Sequence, residues 1–105
     1  CYADDAVVWH NNDGVEQSAP QNLRGLDWVI RTVTDRHYDV KRREAFPGGF
    51  FQQHVLSGTL PDGTHFTMPA CIVCLVTNGQ IARLDEYLDS GQTAPLSKFV
   101  RRAGI

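Results

Sequence analysis

Gln52–Asp89 reads QQHVLSGTLPDGTHFTMPACIVCLVTNGQIARLDEYLD, three strand-like runs joined by two turns, and the rest of the chain is arranged against it. Asn78-Gly79 supplies the positive φ angles of a two-residue type I′ hairpin between apolar runs. That turn fixes a register: if Thr77 pairs with Gln80, Leu75 faces Ala82, Val73 faces Leu84, Cys71 faces Glu86 and Pro69 faces Leu88 on one side. The other side pairs Val76 with Ile81, Cys74 with Arg83, Ile72 with Asp85 and Ala70 with Tyr87. The first side is apolar except for Glu86.

A carboxylate among Val73, Leu75, Leu84 and Leu88 loses hydration, which favours its protonated form and suits it to general acid or base work. Glu86 is therefore the first candidate site residue. The alternative is a solvated carboxylate at a mouth, or one paired with an arginine.

At 105 residues the chain makes one domain, long enough to bury a core without staples. The net charge of −2, with both signs interspersed, shows no nucleic-acid footprint. Lys41-Arg42-Arg43 and Arg101-Arg102 read as solvated edges. No apolar run approaches a membrane span, and no signal-peptide pattern is present. With three cysteines, two of them in one strand, a disulfide framework is not expected and a reducing cytoplasm fits. Cys71-x-x-Cys74 does not read as a metal or redox motif, because residues three apart on a strand point to opposite faces. No metal or cofactor is expected.

Ala6–Asn11 has the composition of a strand, with Val8 and His10 on one side and Val7 and Trp9 on the other. His10 on an inner face can donate or accept a proton near neutrality, or simply hydrogen-bond a neighbouring backbone group. Asn11-Asn12-Asp13-Gly14 is turn chemistry, and the stretch to Gln17 reads as loop. Ser18, Pro20 and Gln21 then predict a capped helix start. Leu23, Leu26, Val29 or Ile30, and Val33 form a stripe to lay on a sheet. Trp28 falls off that stripe, bordering a pocket or an interface or packing on its own helix. His37–Phe46 predicts an edge or near-edge strand guarded by charges, and Phe50–Leu60 the next one, with Gln52, His54 and Leu56 on one face. After Asp89, SGQTAPL reads as loop, and 97–105 as a short helical turn or a frayed tail.

Whether His54 shares a face with Glu86 depends on Pro61-Asp62-Gly63. A two-residue loop sets His54 opposite Cys71 and hence one strand from Glu86. A three-residue loop with Gly63 in a bulge moves His54 to the side of Asp85 and Tyr87. Pro69 marks a bulge or an edge, and a second bulge restores the first arrangement. We take His54 with Glu86. The element order then predicts an α+β fold, with a helix laid against a curved antiparallel sheet.

YADDAVVWHNNDG, followed after a helix by GFFQQHVLSGTLPDGT and PACIVCLVTNGQIARLDEYLD, resembles the SnoaL-like branch of the nuclear transport factor two superfamily, which includes polyketide cyclases, limonene epoxide hydrolase and ketosteroid isomerase. The resemblance covers nearly the whole chain. It implies a cystatin-like α+β roll, with the sheet wrapped round a helix-lined, cone-shaped pocket, and often a homodimer through the outer sheet face. It also implies that residues 1–105 form a single SnoaL-like domain that starts after the family's first helix. The catalytic Asp of cyclases and of the epoxide hydrolase falls at Glu86. The hydrolase's Arg and Asp pair has no counterpart among Gln52, Gln53, His54 and Val55, so its three-residue scheme does not carry over. In ketosteroid isomerase one carboxyl shuttles a proton while a donor stabilises the enolate oxygen; its tyrosine donor lies on the first helix, and here His10 or His54 takes that part.

The expectation is thus an acid/base enzyme for a small apolar, cyclic carbonyl compound, with Glu86, His54 and His10 catalytic and Val8, Trp28, Leu56, Cys71, Val73, Leu84 and Leu88 lining the pocket. Ile72, Asp85 and Tyr87 fall on the dimer face. A non-catalytic binding or assembly module of the same fold is the alternative.

Overall fold

The computed structural model describes residues 2–11 and 14–88; the loop and the short helical turn or tail expected beyond Asp89 lie outside them. Among the described residues, six strands form one sheet that packs against one helix: β1 (Tyr2–His10), β2 (Glu16–Ser18), α1 (Ala19–Thr32), β3 (Thr34–Phe46), β4 (Gly49–Thr59), β5 (His65–Thr77) and β6 (Gln80–Leu88). The strand order is β2-β1-β6-β5-β4-β3. Every neighbouring pair is antiparallel except β1 with β6, which run parallel. The arrangement is α+β, and β3 stands at an edge, where its charges oppose further strand addition.

Helix α1 begins as its sequence dictates. The Ser18 hydroxyl accepts from the Gln21 amide at 3.3 Å, and the Gln21 side-chain oxygen accepts from the Ser18 amide at 2.8 Å, which satisfies two otherwise orphaned N–H groups. At the other end Arg36 donates to the carbonyls of Ile30 and Val33, closing the last turn. The buried face differs from the expected stripe. Leu23, Leu26 and Ile30 are exposed, while Trp28 and Val29 pack on a core of Val33, Leu56, Leu60 and Phe66. Gly58 lets α1 come this close: a Cβ there would overlap Val33 Cγ1 and lie 2.9 Å from the Thr34 carbonyl oxygen.

The β4–β5 turn is the three-residue loop, with Gly63 at φ 85° and Leu60 and Thr64 joined by an N–H to O bond of 2.8 Å. His54 accordingly pairs with Ala70. Pro69 pairs with Val55 of β4, and among the described residues the β5–β6 ladder begins with Ala70 and Leu88. The Asn78-Gly79 turn forms with φ 53° and 75°, but its ladder is not flush. Val76 pairs with Ile81 and Leu75 with Arg83, leaving Ala82 as an extra residue. That bulge moves every later partner by one, so Ile72, rather than Cys71, faces Glu86.

This corrects the expected face of three residues. Ile72 lies on the side of Glu86, not on a dimer face with Asp85 and Tyr87. Cys71 and Val73, expected among the pocket-lining residues, pair with Tyr87 and Asp85 and so belong to the opposite side. Leu84 and Leu88 share the face of Glu86 by alternation, Val8 pairs with Leu84, and Leu56 alternates with His54. Because α1 packs over Leu56, the side carrying Glu86 and His54 is the helix-covered one.

Candidate active site

Two rows of partners across the sheet hold the polar groups of the covered face. One runs Arg43, Gln52, Ile72, Glu86, His10; the next runs Val40, His54, Ala70, Leu88. His10 reaches Glu86 because β1 lies parallel to β6 with these two residues in register. Asn11 locks that end. Its amide donates to the Glu86 carbonyl at 3.0 Å, and its side chain both accepts from the Leu88 amide at 2.8 Å and donates to the Leu88 carbonyl at 3.2 Å. His10 Nε2 lies 2.9 Å from Glu86 Oε1, with the two side chains 20% and 19% exposed. Atoms so placed share one proton, whichever partner formally carries it.

His54 is the buried polar side chain of the core, at 7% exposure. Its Nδ1 lies 3.0 Å from Gln52 Nε2, and its ring meets the Tyr38 ring edge-on with centroids 5.4 Å apart. Burial, and after it the charge of Glu86, raises the Tyr38 phenol above its ordinary pKa; Tyr2 is raised by burial, then by Cys74 and Glu86. Both phenols therefore stay protonated as donors. Glu86 and His54 sit two strands apart, about 10 Å across the sheet at ~4.8 Å per strand, with Ile72 and Ala70 forming an apolar floor between them. Tyr38 and Val40 leave an exposed apolar margin beside His54.

Gln52, Tyr38 and Tyr2 escape a reading that looks only for carboxylates and imidazoles. The alternation of β3 and β4 does place Tyr38 and Gln52 on the face of His54, which is the signal for them. Trp28 packs on the core cluster. On the opposite face Asp85 accepts from Arg83 at 2.8 Å, and Arg83 also donates to Glu16 at 2.7 Å. Trp9 and Tyr87 form an edge-on pair there at 5.4 Å. A groove of about 500 Å³ is lined by Gln53, Val55, Cys71 and Tyr87 of that side and also by His54, Ala70 and Leu88 of the face of Glu86; Glu86 does not line it. Among the described residues, no group of three His, Cys, Asp or Glu side chains is placed to hold a metal ion, and no helix is long and apolar enough to cross a membrane.

No protein-family model and no curated protein matches the sequence. Solved structures do match in shape. IdmH from Streptomyces antibioticus, named as a candidate polyketide cyclase, superposes with a TM-score of 0.76 at 17% identity, over 90% of this chain and 79% of its own. A SnoaL-like candidate polyketide cyclase from Shewanella putrefaciens gives 0.71 at 8% identity, over 90% and 68%. The chain has the fold of the SnoaL/NTF2-like superfamily. A protein with a ketosteroid-isomerase-like fold from Catenulispora acidiphila, solved with trimethylamine, superposes with a TM-score of 0.72 at 13% identity, over 87% of this chain and 72% of its own. On this fold, the helix-bearing side of the sheet carries Glu86, His10 and His54.

Proposed function

We propose that this domain is a SnoaL-like enzyme performing acid/base chemistry, of isomerase, cyclase or hydrolase type, on an apolar cyclic carbonyl compound. The observation that carries the reading is the His10–Glu86 contact of 2.9 Å on the helix-covered face. Glu86 removes a proton alpha to the carbonyl, and the C–H electron pair moves into an enolate. His10 holds the carboxyl oxygen through the shared hydrogen bond, and the proton returns from Glu86 to carbon when the enolate collapses. His54 and Tyr38, across the Ile72 and Ala70 floor, donate to the developing enolate oxygen. The chemistry requires no metal or cofactor. The free thiols of Cys71 and Cys74 agree with a reducing, cytoplasmic setting.

The test is deuterium exchange alpha to the carbonyl of 2-tetralone in D2O, followed by proton NMR. Glu86→Gln should slow exchange by about 10²–10⁴-fold while the ketone still raises the melting temperature. Exchange unchanged in Glu86→Gln excludes the proton-transfer role.

A second reading, a non-catalytic binding or homodimeric assembly module, draws on the groove beside Tyr87 and on the exposure of Tyr87 and Leu75 on that face. A second copy seated there would cover Tyr87 and flank the Arg83–Asp85 pair. Light scattering at micromolar concentration should then give a dimer that Tyr87→Lys dissociates; a wild-type monomer sinks the assembly reading.

A further inference from the structure

We infer that Gln52 and Arg43 are positioning residues that hold His54 as its Nε2–H tautomer, so that its imidazole meets the substrate as a hydrogen-bond donor. This rests on the proposed enzyme reading, in which His54 donates to the enolate oxygen.

A neutral imidazole has one nitrogen that donates and one that accepts, and its neighbours decide which is which. The neighbour of His54 Nδ1 is the Gln52 side chain, 3.0 Å away. An amide can offer either its oxygen or its NH2 group, so Gln52 alone would leave the tautomer open. Arg43 removes that freedom. Its Nε donates to Gln52 Oε1 at 2.7 Å, and because a guanidinium has donors only, the amide oxygen must face Arg43. The NH2 group is thereby turned to His54, where it can only donate. Nδ1 must then accept, which places the imidazole proton on Nε2. At 7% exposure, His54 has little water with which to make another arrangement.

The backbone shows how Arg43 comes to face inward. Strict alternation from Tyr38 and Val40 would bring Arg42 to the covered face. Instead Val40 pairs with His54 and Arg42 with Gln53, leaving Lys41 as an extra residue, so that Arg43 pairs with Gln52. Arg42 goes to the other side, where it lies 5.4 Å over the Phe51 ring. A bulge that re-aims one side chain at a neighbouring site is a recurrent use of this irregularity.

Two-bond proton–nitrogen correlation NMR on the 15N-labelled chain reads the tautomer directly. Wild-type His54 should show a protonated Nε2 and a bare Nδ1, in roughly tenfold or greater excess, the ratio expected from one hydrogen bond of ordinary strength. Arg43→Met frees the amide to turn, and the Nδ1–H form should rise to a comparable population. Gln52→Glu replaces the donor with an acceptor, and the proton should move to Nδ1. A wild-type Nδ1–H tautomer overturns the inference, and so does an unchanged tautomer in either variant. Arg43 is exposed, so its variant provides a result even if Gln52→Glu fails to fold. In the 2-tetralone assay Gln52→Glu should lower kcat by about 10²-fold with KM little changed. Glu86→Gln should slow exchange by about 10²–10⁴-fold with the His54 tautomer intact. Absence of exchange in the wild-type protein therefore counts against the enzyme reading, and the NMR result decides the tautomer separately.

Discussion

A double-mutant cycle over His10 and Glu86 measures whether the central contact of the candidate site exists in solution. At 2.9 Å and an effective dielectric constant of about 20, opposite unit charges attract by roughly 6 kcal/mol. Both side chains are four-fifths covered, and their lost hydration consumes most of that attraction. What survives should resemble a hydrogen bond to a charged group, about 1.5–3 kcal/mol. Urea unfolding at pH 7 of the wild type, His10→Ala, Glu86→Ala and the double variant gives the coupling as the departure from additivity. Arg31 and Asp27 provide an internal reference. They are as close, at 3.0 Å, but 70% and 61% exposed, and their cycle should yield only about 0.3–0.5 kcal/mol. The two cycles differ in burial at nearly equal distance, so equal couplings would refute the idea that the covered face shields His10–Glu86. A His10–Glu86 coupling below about 0.5 kcal/mol would refute the contact itself.

Two further perturbations probe the frame that holds this pair. Gly58→Ala forces a methyl group onto Val33 Cγ1 and the Thr34 carbonyl, and should cost about 1–3 kcal/mol, read as a lower melting temperature; an unchanged melting temperature means that α1 does not seat on β4 as described. Cys74 is fully buried, and burial, helped by the charge of Asp85, pushes its thiol from 9.0 up to about 11. A pKa raised in the folded state means that stability is complete below pH 9 and is lost as pH rises toward 11, by at most about 3 kcal/mol at 1.36 kcal/mol per unit. Urea melts at pH 8 and pH 11 should show that loss, smaller in Cys74→Ala because only the raised tyrosines remain; an equal loss in both proteins assigns it elsewhere.

Features fixed by local chemistry were legible in the sequence. Ser18, Pro20 and Gln21 start α1 through backbone hydrogen bonds that depend on no distant partner, and Asn78-Gly79 turns the chain because these residues accept positive φ. The charges of β3 announce an edge. The buried side of α1 was not legible in the same way. Leu23, Leu26 and Ile30 make the stronger apolar stripe, yet Trp28, Val29 and the capping Val33 face the core, since Gly58 offers Val33 a seat on the sheet. That choice depends on a glycine 25 residues further along the chain, which helical periodicity does not sense. Strand β2 carries no strand signal in its three residues. It is held by pairing with β1 and by the Arg83–Glu16 contact, both long-range.

The shared face of His54 and Glu86 follows from two departures that cancel. A two-residue loop at Pro61-Asp62-Gly63 with a flush Asn78-Gly79 hairpin would put Cys71 between them. The loop has three residues, which moves His54 to Ala70, and Ala82 bulges, which moves Glu86 to Ile72. Each shift of one residue reverses which side chains of one strand meet the other's inner face; two together restore the face and leave His54 displaced by two residues from the Glu86 row. Either departure alone would have buried Asp85 or exposed His54. The same two shifts exchange Cys71 and Val73 for Ile72, so the floor between Glu86 and His54 is Ile72 and Ala70. That floor separates the backbone positions of base and donor by roughly 12 Å, about 9.6 Å across two strands and about 6.8 Å along them, so the Glu86 and His54 side chains must lean together over it to reach the alpha carbon and the carbonyl oxygen of one ketone. The apolar floor buries the rings of 2-tetralone and little of acetone, so wild-type exchange should favour 2-tetralone and that preference should shrink in Ile72→Thr; an equal preference in both proteins would remove the floor from the site.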